Sequence, residues 1–158
     1  MSKATIVKAN EGKILDPLPG EEVVLKLTGE NTENTFDFWI VTNSHMSGPP
    51  LHIHPNAAEL FYMLEGTLQM QAGDETFEAT AGDTVYIPAG VPHTFANLQE
   101  TPAKAINLFC PSGLANFLEE VATEIAAAAS PQDVNMPEIA GRHDLQLIGP
   151  PLAATMAR

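Results

Sequence analysis

Two short segments contain the residues of this sequence that are best suited to chemistry. The first (PPLHIHPNAAELFYMLEG) places His52, His54 and Glu59 within eight residues, and the second (GDTVYIPAGVPHTFAN) adds His93. Imidazole and carboxylate groups are ligands for divalent transition-metal ions. Residues two apart on a strand point to the same face, so His52 and His54 can converge on one ion. We therefore predict that these four residues hold one divalent metal ion.

Length, charge and cysteine content narrow the class of protein. The 158 residues suit a single domain, and 20 acidic against 7 basic residues give a net charge of −13. This charge argues against nucleic acid or an anionic membrane as a partner, because both would repel the protein. Cys110 is the only cysteine and lies in an apolar stretch, which predicts a buried, inert thiol. The first residues (MSKATIVKANEGK) lack a signal-like apolar segment, so we expect a cytoplasmic protein.

Short segments of β-forming residues, separated by glycine and proline, predict a mainly β fold of the sandwich or barrel type. In residues 35–41 we expect Phe36, Phe38 and Ile40 on one face of a strand. The expected strands are 4–8, 21–27, 35–41, 51–54, 59–64, 67–71, 75–79, 84–87, 93–97 and 104–110.

A helix and a tail are predicted to follow the strands. Residues 114–129 show helical spacing of apolar residues, with Ser112 as a possible cap and Pro131 beyond the end. The tail, 131–158, reads as an arm over the strands with a weak helical stretch near 137–147. We expect residues 1–112 to form the β structure and 113–158 to pack on it within the same domain. The N-terminal strands could cover a sheet edge or pair with another copy, and a homodimer is our expectation.

The two segments resemble the motifs of the cupin superfamily. The first motif matches as His52-x-His54-x4-Glu59-x6-Gly66. Its opening glycine is displaced, because the motif would put it at Met46 and the nearest glycine is Gly48. The second motif matches at every named position, as Gly82-x5-Pro88-x-Gly90-x2-His93-x3-Asn97.

This resemblance implies a jelly-roll β-barrel in which His52, His54, Glu59 and His93 bind a metal ion. Fe, Ni, Mn, Co, Cu and Zn all accept this ligand set. In cupins that resemble flavonol dioxygenases, the glutamate matching Glu59 is thought to act both as ligand and as general base. An apolar substrate pocket beside the ion is expected from Phe36, Phe38, Phe61, Met63, Phe95 and Ile106.

Three functions remain open at this point, all with a small molecule as the partner. The first is a quercetinase-like dioxygenase that acts on a small enolic or phenolic substrate. The second is a non-oxidative isomerase, decarboxylase or lyase that uses the ion as a Lewis acid. The third is a module that binds a small molecule without turnover, although no helix-turn-helix pattern or basic patch indicates a regulator.

Overall fold

The computed structural model describes residues 3–156, and within them the chain is mainly β. The first two and last two residues of the expected domain lie outside the described residues. Three helices and a short 3-10 turn follow or interrupt the strands: α1 is Leu114–Ala127, α2 is Met136–Gly141, α3 is Leu152–Met156, and the turn is Pro131–Asp133. The strands are β1 Lys13–Leu18, β2 Glu21–Leu27, β3 Asp37–Asn43, β4 Pro50–Ile53, β5 Ala58–Glu65, β6 Thr67–Ala72, β7 Glu75–Thr80, β8 Thr84–Ile87, β9 His93–Ala96, β10 Ala103–Cys110 and β11 Gln146–Pro151.

The strands form two antiparallel sheets. One has the order β1-β2-β3-β10-β5-β8 and the other the order β11-β4-β9-β6-β7, so most neighbours in space are distant in sequence. Successive residues of β3, β5 and β10 alternate between buried and more exposed positions, as expected for sheets with one face on a core. The predicted mainly β jelly roll with a C-terminal helix is confirmed, and no strand pairing within residues 3–156 joins the two sheets into a closed barrel.

The sheet register brings the two motif segments together. In the second sheet, His52 of β4 lies directly opposite His93 of β9. In the first sheet, β5 lies between β10 and β8, with Glu59 opposite Phe109 and Ile87. The sheets therefore bring histidines from one side and the glutamate from the other to a shared interior.

The N-terminal region differs from the sequence prediction. Residues 4–8 are not a strand, and the first strand is instead β1, in the segment that we expected to be a turn-rich connector. Pro17 is tolerated because β1 is an edge strand, where one side of the backbone needs no ladder partner. Only Pro19 and Gly20 form the turn between β1 and β2.

Helix α1 agrees with its predicted span but not with its predicted cap. Asp37, the first residue of β3, accepts hydrogen bonds at Oδ2 from the backbone N–H groups of Gly113 (2.7 Å) and Ala115 (3.0 Å). Ser112 makes no capping hydrogen bond. A buried carboxylate from a distant strand thus satisfies the free N–H groups at the start of the helix. This contact fixes α1 against the first sheet.

The tail contains more structure than the weak helical stretch predicted. Helix α2 is short, and β11 adds an edge strand to the second sheet beside β4. The prolines at 150 and 151 obscured this strand in the sequence, but an edge position accepts them. Cys110 is exposed rather than buried, because it lies on the outward phase at the end of β10. None of the helices within residues 3–156 has the length and apolar character needed to cross a membrane.

Candidate metal centre

The four predicted ligands meet at one buried point. One ligand atom from each of His52, His54, Glu59 and His93 lies within 4.8 Å of all the others. Glu59 Oε2 is 2.8 Å from His93 Nε2 and 3.6 Å from His54 Nε2. All four side chains are at most 6% exposed. Strand parity places His52 and His54 on one face, and the β4–β9 pairing adds His93.

Backbone carbonyls orient two of the imidazoles. His52 Nδ1 lies 2.7 Å from the carbonyl oxygen of Pro50, and His93 Nδ1 lies 2.8 Å from that of Val91. A ring nitrogen that donates to a carbonyl carries the proton, so Nε2 of the neutral ring keeps its lone pair. Both carbonyls lie two residues upstream of the histidine that they orient. The local backbone therefore directs both Nε2 atoms toward the shared point.

The electrostatics of the cluster keep His52 neutral and favour a second proton on His93. Burial, followed by the neighbouring imidazoles of His93 and His54, lowers the pKa of His52 to about 3. Burial would raise the pKa of Glu59, but the imidazoles of His54 and His93 outweigh it and lower the pKa to about 2. Burial would lower the pKa of His93, yet its hydrogen bond with Glu59 raises it. At neutral pH the cluster therefore contains an ionised Glu59 and a neutral His52.

These residues fit a divalent metal ion. His54 Nε2 is buried and has no hydrogen-bond partner among the described residues. A buried polar atom without a partner is costly, and coordination would satisfy it. Three imidazoles and one carboxylate are also a donor set that divalent transition metals accept. The chain therefore contains a metal-binding group of the three-histidine, one-glutamate type.

Asn107 is a residue of the site that sequence reasoning missed. It lies on β10, and its Nδ2 donates a hydrogen bond of 2.6 Å to Glu59 Oε1. Both side chains are buried, at 2% and 3% exposure. Because Oε1 is held in this way, Oε2 faces His54 and His93. Asn107 therefore orients the carboxylate, as residues behind metal ligands commonly do. Its spacing from Glu59 gave no sequence signal, because the contact spans 48 residues.

A cavity adjoins three of the four ligands, and its wall is largely apolar. His52, His54 and Glu59 line it, together with side chains from β3, β9 and β10. Helix α1 and the tail supply a further part of the wall, which lies outside both motifs. The apolar lining from strands β1, β3, β4, β9 and β10 is Pro17, Leu18, Trp39, Val41, Pro50, Phe95 and Phe109, and that from the helix and tail is Leu114, Phe117, Leu118, Val121, Met136, Leu145 and Leu147.

The predicted pocket residues divide into three groups. Phe95 lines the cavity, while Phe61 and Met63 are fully buried in the core beside it. Phe36, Phe38 and Ile106 do not line it, and we correct that expectation. Alternation along a strand defines two faces without saying which one is inside, and the buried row of β3 begins at Asp37 instead. In β10 the buried residues are those on either side of Ile106, so the Ile106 side chain lies on the other face of the strand.

Gly48, the glycine that stands near the displaced motif position, is required there by close backbone packing. A Cβ atom built on Gly48 would lie 2.0 Å from the carbonyl oxygen of Phe95, in the strand that carries His93. The backbone of the loop before β4 therefore packs directly on β9, and no other residue type fits there without movement. The glycine thus contributes close backbone packing beside the metal ligands.

Comparisons with known proteins agree with the fold and the ligand set. Residues 39–109 match the family model described as a cupin domain, and this region contains all four ligands and Asn107. Residues 39–109 are therefore a cupin domain.

Among curated proteins, the chain is 41% identical over 56 residues to the uncharacterized protein MJ1618 of Methanocaldococcus jannaschii, covering 35% of this chain and 45% of that protein. It is 30% identical over 67 residues to quercetin 2,3-dioxygenase of Bacillus subtilis, covering 42% of this chain and 20% of the enzyme. The chain thus spans less than half the length of these curated relatives.

Solved structures show the same fold. KdgF from Halomonas sp. aligns with a TM-score of 0.62 at 17% identity, covering 69% of this chain and 94% of KdgF. A mutant of the Bacillus subtilis oxalate decarboxylase OxdC aligns with a TM-score of 0.52 at 26% identity, covering 59% of this chain and 26% of that enzyme.

Proposed function

We propose that this protein is a metal-dependent dioxygenase of the quercetinase-like kind, acting on a small enolic or phenolic substrate. The observation that carries the proposal is an apolar cavity that opens directly on a three-histidine, one-glutamate centre. The similarity to quercetin 2,3-dioxygenase of Bacillus subtilis supports the same reaction class.

The charge of the cavity favours such a substrate. No lysine or arginine is among the described residues that line it, and Glu21 and Glu59 are its carboxylic acids. An anionic group of the substrate that lies away from the ion would lose its hydration without gaining a cationic side chain, which is costly in a buried site. An uncharged ring or enol with one hydroxyl for the metal suits this wall better.

Each residue of the centre has a role in this proposal. His52, His54, Glu59 and His93 would hold the divalent ion, which would supply Lewis acidity and open coordination positions. Glu59 accepts the proton of the substrate hydroxyl at Oε2, while Asn107 holds Oε1. A bound ion would take the place of the His93 proton beside the carboxylate, so Glu59 would remain ionised and able to accept a proton from the substrate hydroxyl.

Oxygen consumption tests the proposal. Metal-loaded protein is mixed with flavonols, β-diketones and catechols in an oxygen electrode, and uptake with at least one class is expected. At equal metal content, Glu59→Gln should abolish uptake because the base is lost, whereas Glu78→Gln should not, since Glu78 is exposed on β7. Absence of uptake with every class, in protein shown to contain metal, would refute the dioxygenase assignment.

A non-oxidative metal-dependent reaction is the second candidate, favoured by the likeness to oxalate decarboxylase OxdC. That enzyme has Mn(II) centres, and imidazole with carboxylate suits Mn here as well. Product that forms equally well without oxygen would support this candidate. The apolar wall counts against an acidic substrate such as oxalate.

A further inference from the structure

Glu21 is a buried carboxyl group that the proposed mechanism does not use. It begins β2, where its side chain shares the inward row with Val23 and Leu25 and is 7% exposed. It lines the same cavity as His52 and Glu59. The cavity therefore contains two carboxyl groups, of which only Glu59 belongs to the metal centre.

The partner of Glu21 is neutral. Asn43, directly opposite on β3, donates from Nδ2 to Glu21 Oε2 at 3.1 Å. The same amide lies 3.3 Å from Ser47 Oγ. Oε1 of Glu21 accepts no hydrogen bond from the described residues, and no described lysine or arginine lines the cavity to balance a charge. This environment leaves one oxygen of the carboxyl group available to a ligand.

Glu21 keeps its proton more readily than an exposed glutamate does. A buried carboxyl group whose described partner is an amide is costly to ionise, and burial raises its pKa to about 7, although the hydrogen bond from Asn43 opposes this rise. In its protonated form, which is favoured as pH falls below 7, Glu21 can donate a hydrogen bond.

We propose that Glu21 determines substrate specificity by donating a hydrogen bond from the cavity wall to an uncharged acceptor oxygen of the substrate. The cavity then takes neutral phenols or enols that carry a carbonyl group away from the metal-binding hydroxyl, and it rejects the matching carboxylates. This inference rests on the proposed function, because it takes the phenolic or enolic class from there. Glu21 acts as a positioning residue and is not part of the bond-breaking step.

Rejection of carboxylates follows from the same geometry. A carboxylate at this position would lie within a largely apolar wall to which no described lysine or arginine contributes. A ketone has a similar shape but carries no charge, so it keeps the hydrogen bond without the cost of burying an ion. The difference in affinity between the ketone and the carboxylate therefore measures how the cavity wall at Glu21 treats a neutral and a charged group.

Equilibrium binding of three probes tests this inference. Catechol, 3,4-dihydroxyacetophenone and 3,4-dihydroxybenzoate are titrated calorimetrically into metal-loaded protein at pH 6.5 without oxygen, so that no turnover occurs. The wild type should bind the ketone about tenfold more tightly than the carboxylate. Glu21→Gln should keep the affinity for the ketone within about threefold, because its amide still donates. Glu21→Leu should weaken ketone binding about tenfold but catechol binding by less than about threefold.

Metal content and far-UV circular dichroism establish that each variant is folded. Equal wild-type affinity for ketone and carboxylate overturns the inference without any variant, as does the failure of all three probes to bind. A Glu21→Leu variant that loses all probes equally would show a structural role and would also overturn it. Selective binding without oxygen uptake would leave the inference standing and count against the proposed function. Oxygen uptake that is the same in the wild type and in the Glu21 variants would support the proposed function and count against the inference.

Discussion

Replacing Asn107 with leucine should weaken metal binding without unfolding the protein. The amide donates a 2.6 Å hydrogen bond to Glu59 Oε1, and both groups are buried. Leucine is close in size but removes the donor, so one oxygen of an ionised, buried carboxylate loses its partner. The Asn107 Oδ1 atom has no hydrogen-bond partner among the described residues. Removing it should therefore offset part of the cost to folding.

The expected loss follows from the type of hydrogen bond. A bond to a charged group contributes about 1.5–3 kcal/mol. The bound ion neutralises part of the charge on Glu59, so we take the lower part of this range, about 2 kcal/mol. This corresponds to about 30-fold in metal affinity, within the roughly 10–100-fold seen when residues behind metal ligands are changed.

Competition with a chromophoric chelator measures this affinity directly, with Mn²⁺ or Co²⁺ as the ion. Asn97→Ala is the matched control, because the Asn97 side chain is also a buried amide but bonds only to backbone groups. It should lower thermal stability and change metal affinity by less than about threefold. If Asn107→Leu keeps wild-type affinity, or if both variants lose affinity equally, the assigned role of Asn107 is refuted.

Three further predictions follow. Glu21 has a folded-state pKa raised to about 7, so its contribution to stability is complete below the unfolded value near 4.5 and is lost as pH rises through 7. Between pH 4.5 and pH 8, the free energy of unfolding of Glu21→Gln should therefore rise relative to that of the wild type by on the order of 3 kcal/mol. Urea unfolding of the metal-free proteins measures this, and a difference that does not change with pH would contradict it. Metal affinity should fall as pH drops from 7.5 to 5.5, because the hydrogen bond with Glu59 raises the pKa of His93 and the ion must displace that proton; competition titrations that give one affinity across this range would rule it out. Gly48→Ala should destabilise the fold by several kcal/mol because its Cβ would lie 2.0 Å from the Phe95 carbonyl oxygen, and an unchanged melting temperature would show that this loop is not tightly packed.

The sequence predicted the ligand cluster well because its geometry is largely local. Strand parity put His52 and His54 on one face, and a regular β5 put Glu59 inward with Phe61. The two motif segments then needed only an antiparallel pairing, which β4 and β9 provide. Most strand positions were also predictable, since glycine and proline turns separate them.

Features that depend on distant partners could not be predicted. Asn107 contacts Glu59 across 48 residues, and Asp37 caps a helix that begins 77 residues later, at Leu114. The buried phase of β3 depends on which neighbours its side chains meet, so Phe38 was assigned to the cavity in place of Trp39. Edge strands containing proline, such as β11, carry the weakest local signal because their stability comes from pairing.

Metal stoichiometry tests the central claim most directly. Wild-type protein, stripped of metal and then titrated with Co²⁺, should bind one ion per chain with a change in its visible spectrum. His93→Ala and His52→Ala should lose this binding while the metal-free far-UV circular dichroism remains that of the wild type. A wild-type protein that binds no ion, or variants that bind it unchanged, would contradict a metal centre built from these residues.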